Sequence, residues 1–228
     1  MSAMSGRSHV RFALFMALLG AAVFLPAGTF DWVGGWVFLG ETAVGAFAIA
    51  LWLAFSDPEL LAERIRGGVR DAQAPWDKIF LGFLRLALPC WIVLMGLDAK
   101  RWGLSHMPVW LNLVGAIFVA AFFVVCWLVF RENSFAAPVV KIQRERGQSV
   151  VTTGPYRFVR HPMYSGAILS IIGTPLLLGS WIGLALAPVF VVALALRIGG
   201  EERMLRDGLP GYADYMRRVR YRLAPGLW

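Results

Sequence analysis

The polar chemistry of this 228-residue chain is concentrated in two short stretches of its second half. The first is Arg160-His161-Pro162-Met163-Tyr164, inside "TTGPYRFVRHPMYSG" (152–166), which holds two Pro, two Gly, two Tyr and three basic side chains but no acid. The second is "RIGGEE", in which Arg197 and Glu201 stand four apart and Glu202 follows. His161 precedes a proline and is pushed out of the helical region, while Pro162 suits the first position of a helix. A helix is therefore predicted to begin at Pro162, with His161 at its cap and Tyr164 in its first turn. Backbone N–H groups at such a start favour an anion, for instance a carboxylate. Gly154-Pro155 sets a second turn just before it. Arg197 and Glu201 at i and i+4 share a helix face; they could orient charged groups of a ligand, or form no more than a stabilising ion pair. A basic membrane-interface loop with a tyrosine anchor would also account for the first stretch. Taken alone, these residues indicate a polar ligand site and do not name the ligand.

The elements that must position them are apolar. The composition is 58% hydrophobic and only 16% charged, against about a quarter charged in soluble domains, so the predicted class is an all-α polytopic membrane protein. Six apolar segments cover about 10–26, 32–55, 79–97, 109–130, 163–179 and 181–199. The last two are broken by Pro175, Gly179 and Ser180 and read as a tight helical hairpin. The first could be a signal sequence, but it is long for a signal core and is followed by a poor cleavage site, so it is read as a retained helix. Of 22 Lys and Arg, 19 fall at the amino terminus (Arg7 and Arg11), between the second and third segments, between the fourth and fifth, or from Arg197 onward. The connections on the other side hold only Lys100 and Arg101, and Arg85 lies within a segment. The positive-inside rule then places both termini in the cytoplasm, as an even number of spans requires. Both polar stretches fall on that side, and the hairpin between them returns the chain close to its start. The net charge of +8 is assigned to cytoplasmic loops and anionic lipid rather than nucleic acid. Cys90 and Cys126 read as core hydrophobes, and His9, His106 and His161 are too scattered to hold a metal. Glu41 and Arg85 are ionisable groups within spans. They sit ~21 Å and ~9 Å from the cytoplasmic ends of their helices at 1.5 Å per residue, too different in depth for a direct bridge. Arg85 is expected to snorkel or to line a site. The chain reads as one domain over 1–228, with four packing helices in 1–131 and the polar site in 132–228.

"GPYRFVRHPMYSG", then "RIGGEERML" and "GYADYMRRVRYRLAPGLW", resemble the isoprenylcysteine carboxyl methyltransferase family of integral membrane enzymes and the related phospholipid methyltransferases. The resemblance is strong over 133–228; in the first half, "DPELLAERIR" and "WDK" are similar to the bacterial branch. It implies S-adenosylmethionine as methyl donor and a lipophilic acceptor from the bilayer, such as a prenylated or other lipid substrate. It also implies cofactor contacts at Gln143, Gln148, Ser149, Val150, Val151, Tyr156, His161, Pro162, Met163, Tyr164 and Glu201. Arg197 corresponds to the family's substrate-contacting arginine, so that Arg197 and Glu201 would be the catalytic pair. Eukaryotic members carry His at the position of Gln148 and a run of acids where Gly199 and Gly200 stand, and the spacing from Gln143 to Gln148 is shorter here. If the acceptor is a carboxylate or thiolate, no general base is needed; an amine would need one, and Glu202 is the spare acid nearby.

Two other functions fit parts of the pattern. An NADPH-dependent sterol-type reductase resembles this family in its carboxy-terminal half, but the cytoplasmic loops are short for a dinucleotide. A non-catalytic transporter or assembly factor would be favoured by inverted repeats with broken helices in both halves, and only one broken hairpin is evident. The excess of Arg over Lys, 19 to 3, fits a GC-rich bacterial genome, for which the location would be the inner membrane.

Overall fold

A computed structural model describes residues 6–66, 72–226 and 228. Arg70, one of the basic residues counted above, lies outside the described residues. The chain is helical, with no strand among the described residues. Helices α1 (Gly6–Ala27), α2 (Val33–Ser56), α4 (Pro75–Gly96), α5 (Val109–Glu132), α6 (Pro162–Leu178) and α7 (Trp181–Gly208) answer to the six apolar segments. Two short helices that the sequence reading did not place are α3 (Pro58–Arg66) and α8 (Tyr212–Arg218). A single π-helical turn, Leu97–Arg101, continues α4.

Five of the helices are long and apolar enough to cross a membrane. The sixth, α6, has 17 residues and reaches about 25 Å, short of the ~30 Å hydrocarbon core. Its shortness is written in the sequence, since Pro162 begins it and the Gly179-Ser180 turn ends it. It packs against α5 with backbones almost in contact. A Cβ on Gly173 would stand 2.7 Å from the Phe118 Cβ and 2.9 Å from the Gly115 carbonyl oxygen. Small residues at a helix crossing are how membrane helices gain packing when lipid offers no hydrophobic drive between them. The main core is built from Val23 and Phe24 of α1, Trp91 and Met95 of α4, Leu177 of α6 and Phe190 of α7.

The connections sort to two ends. At one end Arg101 Nε donates to the Pro26 carbonyl (2.7 Å) and Asn112 Nδ2 to the Leu176 carbonyl (2.7 Å). Here the buried Asp98 accepts through Oδ2 from the Ser105 hydroxyl (2.6 Å), the Ser180 hydroxyl (2.5 Å) and the Ile182 N–H (3.3 Å). The Ser180 Oγ in turn accepts from the Gly183 N–H and caps α7. The loop, the π turn and the hairpin are thus tied at one carboxylate. At the other end lie α3, the long 133–161 segment and everything after α7. Lys141 donates to Glu63, and Arg64 to the Ala136 carbonyl (2.8 Å). The bond from Lys141 holds the Glu63 carboxyl below its ordinary range.

Glu41 and Arg85 do not meet. Arg85 is exposed on α4, and one carboxylate oxygen of Glu41 is buried with no partner among the described residues.

Candidate functional site

The proline-led start of α6, the end of α7, α8 and the 133–151 segment enclose one cleft at the basic end of the bundle. It measures about 870 Å³ counted out to its open mouth. Gln148, Ser149, Val150, Val151, Tyr156, His161, Pro162, Met163, Tyr164, Arg197 and Glu201 all line it. Residues as far apart in the chain as Gln148 and Glu201 are brought together, because the α6–α7 hairpin folds back as its turn dictates.

Gln143 is placed differently. It is fully buried beneath the cleft and does not line it. Its Nε2 donates to the Phe135 carbonyl (2.8 Å), its Oε1 accepts from Arg146 Nη1 (2.7 Å), and its backbone N–H donates to Gln148 Oε1 (2.7 Å). Gln143 therefore shapes the turn that presents residues 148–151.

Arg197 and Glu201 do not form an i,i+4 pair. Arg197 Nε donates to Asp77 Oδ1 (2.9 Å) and Nη2 to the Pro138 carbonyl (2.8 Å). Glu201 Oε2 accepts instead from the Tyr164 hydroxyl (2.6 Å), and the Tyr164 ring lies over the His161 ring at 5.6 Å. The two charged groups of the helix face are thus held apart by separate partners, each on the cleft wall.

Glu202 is occupied rather than spare. It is 4% exposed and receives Arg160 Nε (2.6 Å) and His161 Nε2 (3.2 Å) on Oε1, and Arg222 Nε (2.9 Å) on Oε2. Paired with two guanidinium groups, it is stabilised as the anion and has no affinity to lend for a substrate proton. This corrects the reading of Glu202 as a reserve base. Its purpose is visible in the tail: Arg160 Nη1 also donates to the Val219 and Arg220 carbonyls, and the N–H groups of Arg160 and His161 donate to the Tyr221 and Arg222 carbonyls. The carboxy-terminal tail is strapped across the start of α6.

That strap changes the anion site expected there. The His161 N–H is spent on the tail, and those of Tyr164 and Ser165 return to the His161 carbonyl. The Met163 N–H remains without a partner among the described residues, and further positive character comes from Arg160, a cleft-lining residue that the sequence reading left aside, whose Nη2 likewise has none. Tyr212 and Tyr215 of α8 were missed as well. Both line the cleft, and the Tyr212 hydroxyl is buried without a partner among the described residues. Burial pushes the phenols of Tyr156, Tyr212 and Tyr215 well above their ordinary value, so all three act as neutral hydroxyls.

The sequence pattern of phospholipid methyltransferases matches residues 110–209. Among curated proteins, the cobalt-zinc-cadmium resistance protein CzcN of Cupriavidus metallidurans is 36% identical over 82 residues, 34% of this chain and 37% of its own length. The protein-S-isoprenylcysteine O-methyltransferase B of Arabidopsis thaliana is 37% identical over 83 residues, 36% of this chain and 42% of its own. The uncharacterized protein YpbQ of Bacillus subtilis is 28% identical over 123 residues, 54% of this chain and 67% of its own. The chain thus spans about two fifths of the length of the first two. The matched region runs from α5 through α7 and carries most of the cleft wall, and over it the chain is similar to phospholipid and isoprenylcysteine-type methyltransferases.

Proposed function

We propose that this protein transfers a methyl group from S-adenosylmethionine to a lipophilic acceptor whose reactive end is an anion, a carboxylate of an isoprenylcysteine-like or other lipid before any other. The observation that carries the reading is the division of the cleft wall. Arg197 is held by Asp77 and the Pro138 carbonyl with Nη1 unpartnered among the described residues, while Glu201 is held by Tyr164, whose ring lies against both the Arg197 guanidinium and the His161 ring.

The residues present suit the donor. Glu201 and the orphaned Tyr212 hydroxyl can bond an ammonium or ribose hydroxyls, and Arg160 Nη2 a carboxylate. Residues 148–151 and Tyr156 would supply the rest of the wall. When bound, S-adenosylmethionine supplies a methyl group made electrophilic by a sulfonium centre. Arg197 would orient the acceptor anion, and the buried wall would strip it of water; positioning and desolvation then provide most of the rate. An amine acceptor is disfavoured, because Glu202 is consumed by its arginines and Glu201 is assigned to the donor. The cleft end is taken as cytoplasmic, with both termini on that side, from the distribution of basic residues; a carboxy-terminal reporter active only outside the cell would overturn this.

Titration of the protein in nanodiscs with S-adenosylmethionine and with NADPH tests the reading. Saturable binding of the first alone is expected. Binding of NADPH alone would make the cleft a reductase site, and binding of neither would favour a non-catalytic protein.

A further inference from the structure

Asp77 is the third residue of α4, where an acid ordinarily does no more than favour a helix start. Here it is fully buried. Its Oδ1 accepts from Arg197 Nε (2.9 Å) and its Oδ2 from the Val140 N–H (2.8 Å). The preceding Trp76 lies against Gly200 of α7 so closely that a Cβ there would stand 2.8 Å from its ring, and this contact brings the start of α4 up to Arg197. The guanidinium is held on its remaining sides by the Pro138 carbonyl (2.8 Å) and the Phe80 and Tyr164 rings (4.7 and 5.8 Å to the centroids). Only Nη1 is left without a partner among the described residues, and it is not sealed from open space.

We infer that Asp77 is the positioning residue for Arg197: it fixes the guanidinium so that Nη1 faces the acceptor, and it shares the positive charge so that the acceptor anion is oriented without being neutralised. This rests on the acceptor-anchoring role proposed for Arg197. A carboxylate held by an isolated buried guanidinium would lose nucleophilicity, since its lone pairs would be bound tightly at low dielectric. With Asp77 on the far side, the acceptor meets a guanidinium already partly compensated. Asn at 77 offers a single acceptor oxygen, so it can serve Arg197 or the Val140 N–H but not both, and it removes the charge.

The test is a double-mutant cycle on methyl transfer with S-adenosylmethionine affinity measured alongside. For Asp77→Asn we expect kcat to fall at least tenfold and the donor Kd to stay within threefold. Arg197→Ala should fall about a hundredfold, and the double variant should fall no further than Arg197→Ala, because one residue acts through the other. If Asp77→Asn keeps kcat within twofold while Arg197→Ala loses it, or if the two losses multiply, Asp77 does not position Arg197. If Arg197→Ala keeps wild-type turnover, the acceptor-anchoring role fails first and the inference with it. Should Asp77→Asn not fold, Asp77→Glu keeps the charge but displaces the carboxylate by a methylene; it should lose kcat at least fivefold at unchanged donor affinity, and an unchanged kcat would overturn the inference.

Discussion

Both ends of this bundle gather several segments on a buried carboxylate, yet they do so with different partners. Asp98 collects two serine hydroxyls and a backbone N–H, all neutral and all consumed by the knot. Glu202 and Asp77 collect arginines, and Arg160 and Arg197 each keep a nitrogen unpartnered among the described residues, beside a cleft. Neutral donors closed on an acid make a fastener. Arginines held by acids and left with a free nitrogen make a fastener that can also receive an anion. The difference separates structure from chemistry more sharply than burial does, since all three acids are buried.

Breaking the cleft-end knot should have the largest effect. Glu202→Ala leaves two guanidinium groups uncompensated in a buried site and His161 Nε2 without its partner, a loss of about 3–5 kcal/mol. It should appear as a lower melting temperature in detergent and a loosened carboxy-terminal tail, read by protease cleavage after 218. His161→Ala or Tyr164→Ala should weaken S-adenosylmethionine binding at least tenfold, ~1.4 kcal/mol, by calorimetry. Ser180→Ala removes the cap of α7 and one Asp98 donor, which costs about 1 kcal/mol of stability and should leave donor affinity unchanged; an affinity loss equal to that of Tyr164→Ala would erase the distinction between the two ends. The smallest effect concerns Glu63. Its carboxyl is lowered in the folded state by Lys141, so its contribution is present above the unfolded carboxylate pKa and is lost as pH falls through the lower folded value. Because both groups are partly exposed, Glu63→Gln should lower stability at neutral pH by no more than ~1 kcal/mol, and the gap from wild type should close in acid.

The helices were legible in the sequence because apolar runs between polar connections leave little choice in a bilayer. Pro162 and the Gly179-Ser180 break marked both ends of α6 and its turn into α7. The partners of the charged residues were not legible. An i,i+4 spacing suggested that Arg197 faced Glu201, whereas 120 residues separate it from Asp77, and nothing local announces that contact. Glu202 looked spare for the same reason: its arginines arrive from the start of α6 and from the carboxy-terminal tail. Gln143 was carried to the cleft by motif alone, and its position beneath the 143–148 turn follows from hydrogen bonds that no spacing encodes. Tyr212 offered one signal, an aromatic on a short helix after α7, but its burial depends on the tail being strapped down.

In the proposed function the cleft at the basic end, and not the Asp98 end, receives S-adenosylmethionine. Hydrogen–deuterium exchange of the protein in nanodiscs, with and without saturating S-adenosylmethionine, tests it most directly. Slower exchange is expected in 148–164 and 197–215, with no change in 97–109 and 177–183. Protection confined to the Asp98 end, or none in 148–164 at saturation, would contradict it.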